Sequence, residues 1–277
     1  MLSESPIVTG LIVLGIAAVH LYALKTAHDE REKRSQHPDG VETVVIKKFL
    51  DRDAVSKDLC AFVARAAKEA IAMRGVFHLA VAGGTLLDSL SGLADYRDSV
   101  DVAKVVLSFV GQECIDPCRD EAMLAQCRTK VTVETGIENI VVMLTSPDDN
   151  GDGSREATFY AKAMRDAGIP HKSGNPVFDL VMLELGPDGH VGSCCPMGPG
   201  PDALDMAAVT STRRGGEPGS IAFTLGTINA AREVVIVGWH GTKAITRAMS
   251  GSTEHRHGVL SALSQPPVFF VVEETGA

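Results

Sequence analysis

Residues 178–196 place side chains that can do chemistry directly after an apolar run. The segment reads FDLVMLELGPDGHVGSCCP, and Gly186, Asp188, Gly189 and His190 follow its apolar part. The two glycines permit a tight turn that would aim the ring of His190, and imidazole is the side chain that most readily exchanges a proton near neutral pH. A histidine at the end of a strand can also simply cap a turn, so both interpretations stay open.

A second segment, LAVAGGT at residues 79–85, runs from an apolar stretch into a pair of glycines. Gly83, Gly84 and Thr85 would offer backbone N–H groups and a hydroxyl at the start of a helix. Such groups commonly bind an anion. The sequence therefore predicts an anion-binding loop here.

The elements that must position these segments alternate between strand and helix patterns along most of the chain. Continuous rather than alternating apolar strands are typical of a layered α/β fold with a mainly parallel sheet and helices on both faces. Ligands in such folds bind beyond the carboxyl ends of the strands. We predict strands within residues 41–49, 76–84, 102–111, 138–146, 178–186, 233–239 and 266–274, and helices within 53–75, 86–93, 154–168 and 242–251.

Composition narrows the partners that the chain can have. Its 277 residues carry a formal net charge of −9, which argues against a surface built to bind nucleic acid. The six cysteines show no Cys-x-x-Cys pair and no metal-ligand spacing, so we predict no metal site and favour a reducing compartment. No nucleotide-binding motif is apparent, and no cofactor is predicted.

The segment at 178–196 closely resembles the signature of the 6-phosphogluconolactonase family, which shares its fold with glucosamine-6-phosphate isomerases. Residues 79–85 resemble the family's phosphate loop. Residues 220–244, SIAFTLGTINAAREVVIVGWHGTKA, resemble its late strand and helix, and LSQPPVFFVVEE resembles its last strand. The resemblance extends over about residues 41–277 and implies a Rossmann-like layered fold of the lactonase/isomerase type.

The resemblance implies hydrolysis of 6-phospho-glucono-1,5-lactone to 6-phosphogluconate, a step of the pentose phosphate pathway. His190 matches the general base of the family, and Asp188 matches the acid of the same loop. Residues 83–85 and Lys243 match its phosphate-binding positions, so a sugar phosphate is the implied ligand.

The chain departs from the family pattern where a catalytic Asp-Glu-Arg motif is expected. Gln112, Glu113 and Cys114 stand there, so only the glutamate remains. Loss of a positioned charged group typically costs about a hundredfold or more in rate. Cys194 and Cys195 replace larger apolar residues of the signature and are interpreted as packing changes.

The phosphate pocket departs from the pattern as well. Ser220 stands where the family has an arginine, so a bidentate phosphate partner is missing. Arg213 and Arg214 would substitute for it if their loop folds inward. Asp88, where the family continues with proline and lysine, would place a negative charge beside the anion.

An uncharged apolar run, PIVTGLIVLGIAAVHLYAL, lies near the beginning of the chain. We predict a leader at 1–5, a transmembrane helix at 6–24, a charged neck at 25–40 and a lactonase-like domain at 41–277. Nineteen helical residues span roughly 28 Å, close to the apolar thickness of a bilayer. A cleaved signal peptide and a buried core helix are the alternatives.

The distribution of charge predicts which side of the membrane holds the domain. All lysines and arginines near the apolar run follow it, which favours a domain on the cytosolic, matrix or stromal side. An organellar membrane, mitochondrial inner or thylakoid, is the favoured location of this single-pass protein.

Two hypotheses follow. In the first, the domain is a pseudoenzyme with an eroded site, an accessory subunit of a membrane complex of the respiratory or photosynthetic kind, with other subunits as partners. In the second, it is an active 6-phosphogluconolactonase, a carboxylic ester hydrolase with His190 as its base.

Overall fold

Parallel strands that form one central sheet hold most of the residues that the structure describes. This computed structural model describes residues 44–145, 152–187, 191, 209–212, 218–241, 243–245, 260 and 263–272. The longer strands are β1 (Val45–Phe49), β2 (Phe77–Val81), β3 (Val105–Phe109), β7 (Leu180–Leu185), β10 (Val234–Gly238) and β11 (Val268–Val272). The shorter ones are β4 (Gly111–Glu113), β5 (His171–Lys172), β6 (Asn175–Pro176), β8 (Val209–Thr212) and β9 (Ser220–Phe223).

Helices connect these strands. They are α1 (Arg52–Arg74), α2 (Thr85–Leu90), α3 (Met123–Cys127), α4 (Val133–Thr135), α5 (Ser154–Asp166) and α6 (Leu225–Ala230). Two 3₁₀ helices cover Ser91–Tyr96 and Val102–Lys104, and a π-helical turn, Arg128–Thr132, joins α3 to α4. The predicted helix at 86–93 is therefore an α-helix that continues as a 3₁₀ helix.

The six longer strands have the order β1-β11-β10-β7-β2-β3, and every neighbouring pair is parallel. Because side chains alternate between the faces of a strand, each face has its own hydrophobic core. Leu180 and Met182 of β7 pack with α1 on one face, and Val181 and Leu183 pack with α5 on the other. This arrangement confirms the predicted mainly parallel sheet with helices on both faces.

Helix α1 illustrates why the sequence folds as predicted. The side chain of Asp51 accepts a hydrogen bond from the backbone N–H of Ala54, and Gly75 ends the helix with φ of 79°. An aspartate before the first turn and a left-handed glycine after the last are standard helix caps. The helix starts just after β1, so it runs back along the sheet and ends at Arg74 near the amino ends of the strands.

A small antiparallel sheet, with the order β4-β9-β8, lies outside the central one. The strand predicted at 138–146 does not form among its described residues. Ile140 forms a single parallel bridge with Leu107 of β3, in which the N–H of Leu107 donates to the carbonyl of Asn139 at 2.9 Å and the N–H of Val141 donates to the carbonyl of Leu107 at 2.8 Å. Val141 and Met143 are buried. The prediction of a strand was wrong because the run pairs with β3 at one residue only.

A buried ionic cluster joins elements at the amino ends of the strands. Asp179 accepts a hydrogen bond from the backbone N–H of His78 at 2.8 Å. It also pairs with Arg74 at 2.7 Å and with Arg232 at 3.2 Å. Burial lowers the pKa of His78 below its usual value of 6.5; the two arginines act in the same direction and Asp179 opposes them. Neither ring nitrogen of this histidine has a hydrogen-bond partner among the residues that the structure describes.

The predicted leader, transmembrane helix and neck, residues 1–40, lie outside the described residues. Within the described part of the chain, no helix combines the length and the hydropathy that a membrane span needs.

Candidate active site

The carboxyl ends of four neighbouring strands, β10, β7, β2 and β3, meet at one edge of the sheet because these strands are adjacent and parallel. The loop at residues 83–85 follows β2, Gly186 follows β7, and Lys243 follows β10. The structure thus brings the predicted anion loop, the start of the predicted catalytic turn and the predicted phosphate-binding lysine to the same edge. The side chain of Lys243 is exposed.

Asp188 and His190 lie outside the described residues, but the chain on both sides of them is described. Val191 forms an antiparallel bridge with Leu185, the last residue of β7. The described residues on both sides of the predicted base therefore lie at the end of β7.

The glycine loop has a backbone that requires glycine. The N–H of Ala82 donates to the carbonyl of Met182 at 2.9 Å, which fixes the start of the loop beside β7. Gly83 has φ of 85° and Gly84 has φ of 59°, values that other residues adopt only with strain. A Cβ at Gly83 would overlap the Sδ and Cε atoms of Met123, so this methionine covers the loop closely.

A carboxylate contacts the other side of the loop. The hydroxyl of Thr85 donates a hydrogen bond to Oε1 of Glu184 at 2.8 Å. The second carboxylate oxygen, Oε2, lies 3.2 Å from where a Cβ of Gly84 would be. Glu184 follows Leu180 and Met182 on the same face of β7, so its strand position directs it toward α2. The loop predicted to bind an anion thus already contacts a negatively charged group.

Asp88, the acid predicted to oppose an anion, has a different role. Its Oδ1 pairs with the ammonium of Lys130 at 2.7 Å, and a bit more than half of the Asp88 side chain is exposed. Because this charge is paired and solvated, Asp88 has less effect on the loop than Glu184. The sequence pattern pointed to an acid in this region, but the one in contact with the loop lies on β7.

Residues 112–114, which depart from the catalytic motif of the family, form one wall of the candidate site. Two of them, Gln112 and Glu113, belong to β4 of the small antiparallel sheet. Glu113 of β4 is the register partner of Ser220 of β9, and the N–H of Cys114 donates to the carbonyl of Gly219 at 2.7 Å. The two positions where arginines are missing, 114 and 220, are therefore adjacent. The departures at the wall and at the phosphate pocket are far apart in the sequence. They lie at a single location in the fold.

The same sheet contains the strand that precedes the two arginines predicted to substitute for the missing one. Thr212, the last residue of β8, is the register partner of Ser220. Arg213 and Arg214 follow it in the sequence and lie outside the described residues. Gln112 on β4 has a buried Nε2 that finds no hydrogen-bond partner among the described residues, so within them this wall holds a neutral donor that is not yet used.

Two of the described cysteines, Cys60 and Cys127, are buried. Burial raises the pKa of Cys60 and of Cys127 to about 12, so both remain protonated near neutral pH. A protonated thiol is neither a good nucleophile nor a metal ligand. Cys194 and Cys195 lie outside the described residues, and no cluster of three potential metal ligands occurs among the described ones.

Sequence reasoning missed Glu184 and Met123. A signal for Glu184 was available, since LVMLEL places one acid inside an otherwise apolar strand, and a charged side chain in such a position needs a polar partner. Met123 gave no comparable signal because its contact with Gly83 depends on the path of a long connection.

Comparisons with known proteins support the family resemblance and the fold. The family model described as glucosamine-6-phosphate isomerases/6-phosphogluconolactonase matches residues 50–268. A probable 6-phosphogluconolactonase 2 of Oryza sativa subsp. indica is 26% identical over 224 residues, which cover 76% of this chain and 78% of that protein.

Solved structures have the same fold. A 6-phosphogluconolactonase from Shewanella baltica matches with a TM-score of 0.69 at 21% identity, covering 84% of this chain and 99% of that one. The 6-phosphogluconolactonase of Trypanosoma brucei matches with a TM-score of 0.67 at 18% identity, covering 84% and 97%.

Proposed function

The chain belongs to the glucosamine-6-phosphate isomerase/6-phosphogluconolactonase family, and from this premise we propose that it hydrolyses a sugar δ-lactone. The first substrate to test is 6-phospho-glucono-1,5-lactone, because the relatives are named for that activity. The observation that carries the proposal is the convergence of residues 83–85, Gly186 and Lys243 at one sheet edge.

In the proposed reaction His190 takes a proton from water while the water oxygen attacks the lactone carbonyl carbon. The bond from that carbon to the ring oxygen then breaks, and the departing oxygen receives the proton. The product is the open-chain sugar acid. The amide of Gln112 is the donor on the wall that we assign to the developing oxyanion, in place of a charged group.

The test is a lactonase assay on the purified full-length chain in mild detergent. We expect 6-phosphogluconolactone to disappear faster than its spontaneous rate, and His190→Ala to remove the difference. His171→Ala is the matched control, since His171 is exposed on β5, in the hairpin that precedes β7. A rate no higher than the spontaneous one would reject the proposal.

A second candidate function is a non-catalytic accessory subunit of a membrane complex. It is supported by the carboxylate of Glu184 at the glycine loop and by the lack of arginine at Cys114 and Ser220. The same assay separates the two candidates, because only the hydrolase accelerates lactone opening.

We also propose that residues 6–24 anchor the chain in a membrane, on the strength of their length and apolar composition. An organellar location, with the domain on the matrix or stromal side, is part of the proposal. Extraction of membranes with alkaline carbonate tests the anchor: the chain should stay in the pellet, and its release into the soluble fraction would reject insertion.

A further inference from the structure

Glu184 contributes a fixed negative charge to the glycine loop. Its Oε1 accepts the hydroxyl hydrogen of Thr85 at 2.8 Å, and its Oε2 faces Gly84. In the described part of the chain, Glu184 forms no ion pair with a lysine or an arginine. Within the described residues, the charge is therefore held in place by a neutral donor, and no neighbouring cation cancels it.

This contact changes what Thr85 can offer to a ligand. A hydroxyl group has one hydrogen to donate, and here Glu184 accepts it. A phosphate dianion presents only acceptors, so it would compete with the carboxylate for the same hydrogen. The two anions would also repel each other in a partly buried site, where solvent screens charge less than it does in bulk water.

The surroundings of the loop add to the effect. Lys130, a cation on the π-helical turn that packs near α2, already pairs with Asp88 at 2.7 Å. The side chain of Met123 covers Gly83 with an apolar group. Neither contact offers a phosphate the positive charge that would offset Glu184.

We propose that Glu184 is a specificity-determining residue that shifts this pocket away from phosphorylated sugar acids and lactones and toward those without a phosphate. The inference rests on the proposed function, which identifies the pocket as a lactone site. The carboxylate discriminates against the phosphate group, while a neutral sugar hydroxyl at the same place can donate a hydrogen bond to it.

The direct test compares binding of 6-phosphogluconate and of gluconate to the full-length chain by titration calorimetry. Glu184→Gln keeps the size of the side chain and an oxygen for Thr85 but removes the charge. We expect it to tighten 6-phosphogluconate binding about tenfold, or about 1.4 kcal/mol, and to change gluconate binding less than twofold.

Glu69→Gln is the matched control because it removes the same charge from the part of α1 nearest the opposite edge of the sheet. It should change neither affinity. A Glu184→Gln chain whose affinity for 6-phosphogluconate stays within twofold of wild type would overturn the proposal.

The unaltered chain supplies a second measurement that does not depend on how a variant folds. We expect its preference for 6-phosphogluconate over gluconate to be below tenfold, and a preference of tenfold or more would overturn the role of Glu184. Binding needs no catalysis, so a chain that hydrolyses neither lactone rejects the proposed function and leaves this comparison intact. Conversely, active hydrolysis with unchanged binding in Glu184→Gln rejects only the role of Glu184.

Discussion

Replacement of Asp179 by asparagine tests the ionic cluster that fixes β2 against β7, the two strands whose far ends carry the glycine loop and the catalytic turn. Asp179→Asn keeps the shape of the side chain and removes its charge. An asparagine has one acceptor oxygen, whereas Asp179 receives donors on both of its oxygens: His78 on one, Arg74 and Arg232 on the other.

The expected loss in the free energy of unfolding follows from how deeply each contact is buried. The side chain of Asp179 is 7% exposed, whereas those of Arg74 and Arg232 are 30% and 44% exposed. The bond from the backbone of His78 is buried, and leaving such a donor without an acceptor costs about 1–3 kcal/mol. The bond to Arg74 contributes about 1–2 kcal/mol and the more exposed one to Arg232 less than about 1 kcal/mol. Because the oxygen that asparagine retains can still serve one of the two sides, only the bonds of the other side are lost, and we expect a loss of about 2–3 kcal/mol.

Urea unfolding followed by circular dichroism measures this loss. With a slope of about 3 kcal/mol per molar urea, the midpoint should fall by about 1 M. Asp166→Asn is the control, since Asp166 pairs with Lys162 on the exposed surface of α5 and should cost less than about 0.5 kcal/mol. Equal midpoint shifts in the two variants would refute the reasoning that burial makes the Asp179 cluster strong.

Three further predictions concern the core and the site. Because the pKa of His78 is lowered in the folded chain, the unfolded chain binds the proton more readily. The free energy of unfolding should therefore fall as the pH drops below about 6.5. The variant His78→Leu should flatten this dependence, as measured by urea titrations at several pH values. Gly83→Ala should destabilise the chain by about 1–3 kcal/mol, through its φ of 85° and its overlap with Met123, and Met123→Ala should relieve part of that cost in a double-mutant cycle. Ser220→Arg should raise kcat/KM for 6-phosphogluconolactone about tenfold or more by restoring a bidentate phosphate partner, and an unchanged value would show that position 220 does not reach the phosphate.

The central sheet could be predicted because its strands correspond to continuous apolar runs in the sequence. Each of the six parallel strands overlaps a run that the sequence identifies, and the caps of α1, Asp51 and Gly75, are ordinary local signals. The apolar run at 138–146 shows the limit of such patterns. Val141 and Met143 are buried as the pattern predicts, yet the run pairs with β3 only through Ile140, because apolar periodicity reports burial and not the extent of strand pairing.

The relation between sites distant in sequence could not be read in the same way. Pairing of Glu113 with Ser220 joins residues more than a hundred positions apart, and the contact of Thr85 with Glu184 is similarly long-range. A family pattern marks which positions differ, yet it does not say that two of them are neighbours. The sheet register places residues 112–114 beside residue 220, so these positions form one altered wall.

Three positions of the pocket share a direction of charge. The resemblance implies an arginine at the positions of Cys114 and Ser220, and Glu184 places a carboxylate beside the glycine loop, so all three make the pocket less attractive to an anion. Gln112, where the resemblance implies an aspartate, acts in the opposite direction. Random loss of a catalytic site would affect the base, the donors and the cations alike. Changes of charge would instead alter which ligand binds while leaving the predicted base in the sequence, as His190 is here. If the departures act through charge, Glu184→Gln and Ser220→Arg together should improve phosphorylated-lactone hydrolysis more than either alone, whereas a chain lacking catalysis would gain nothing from both.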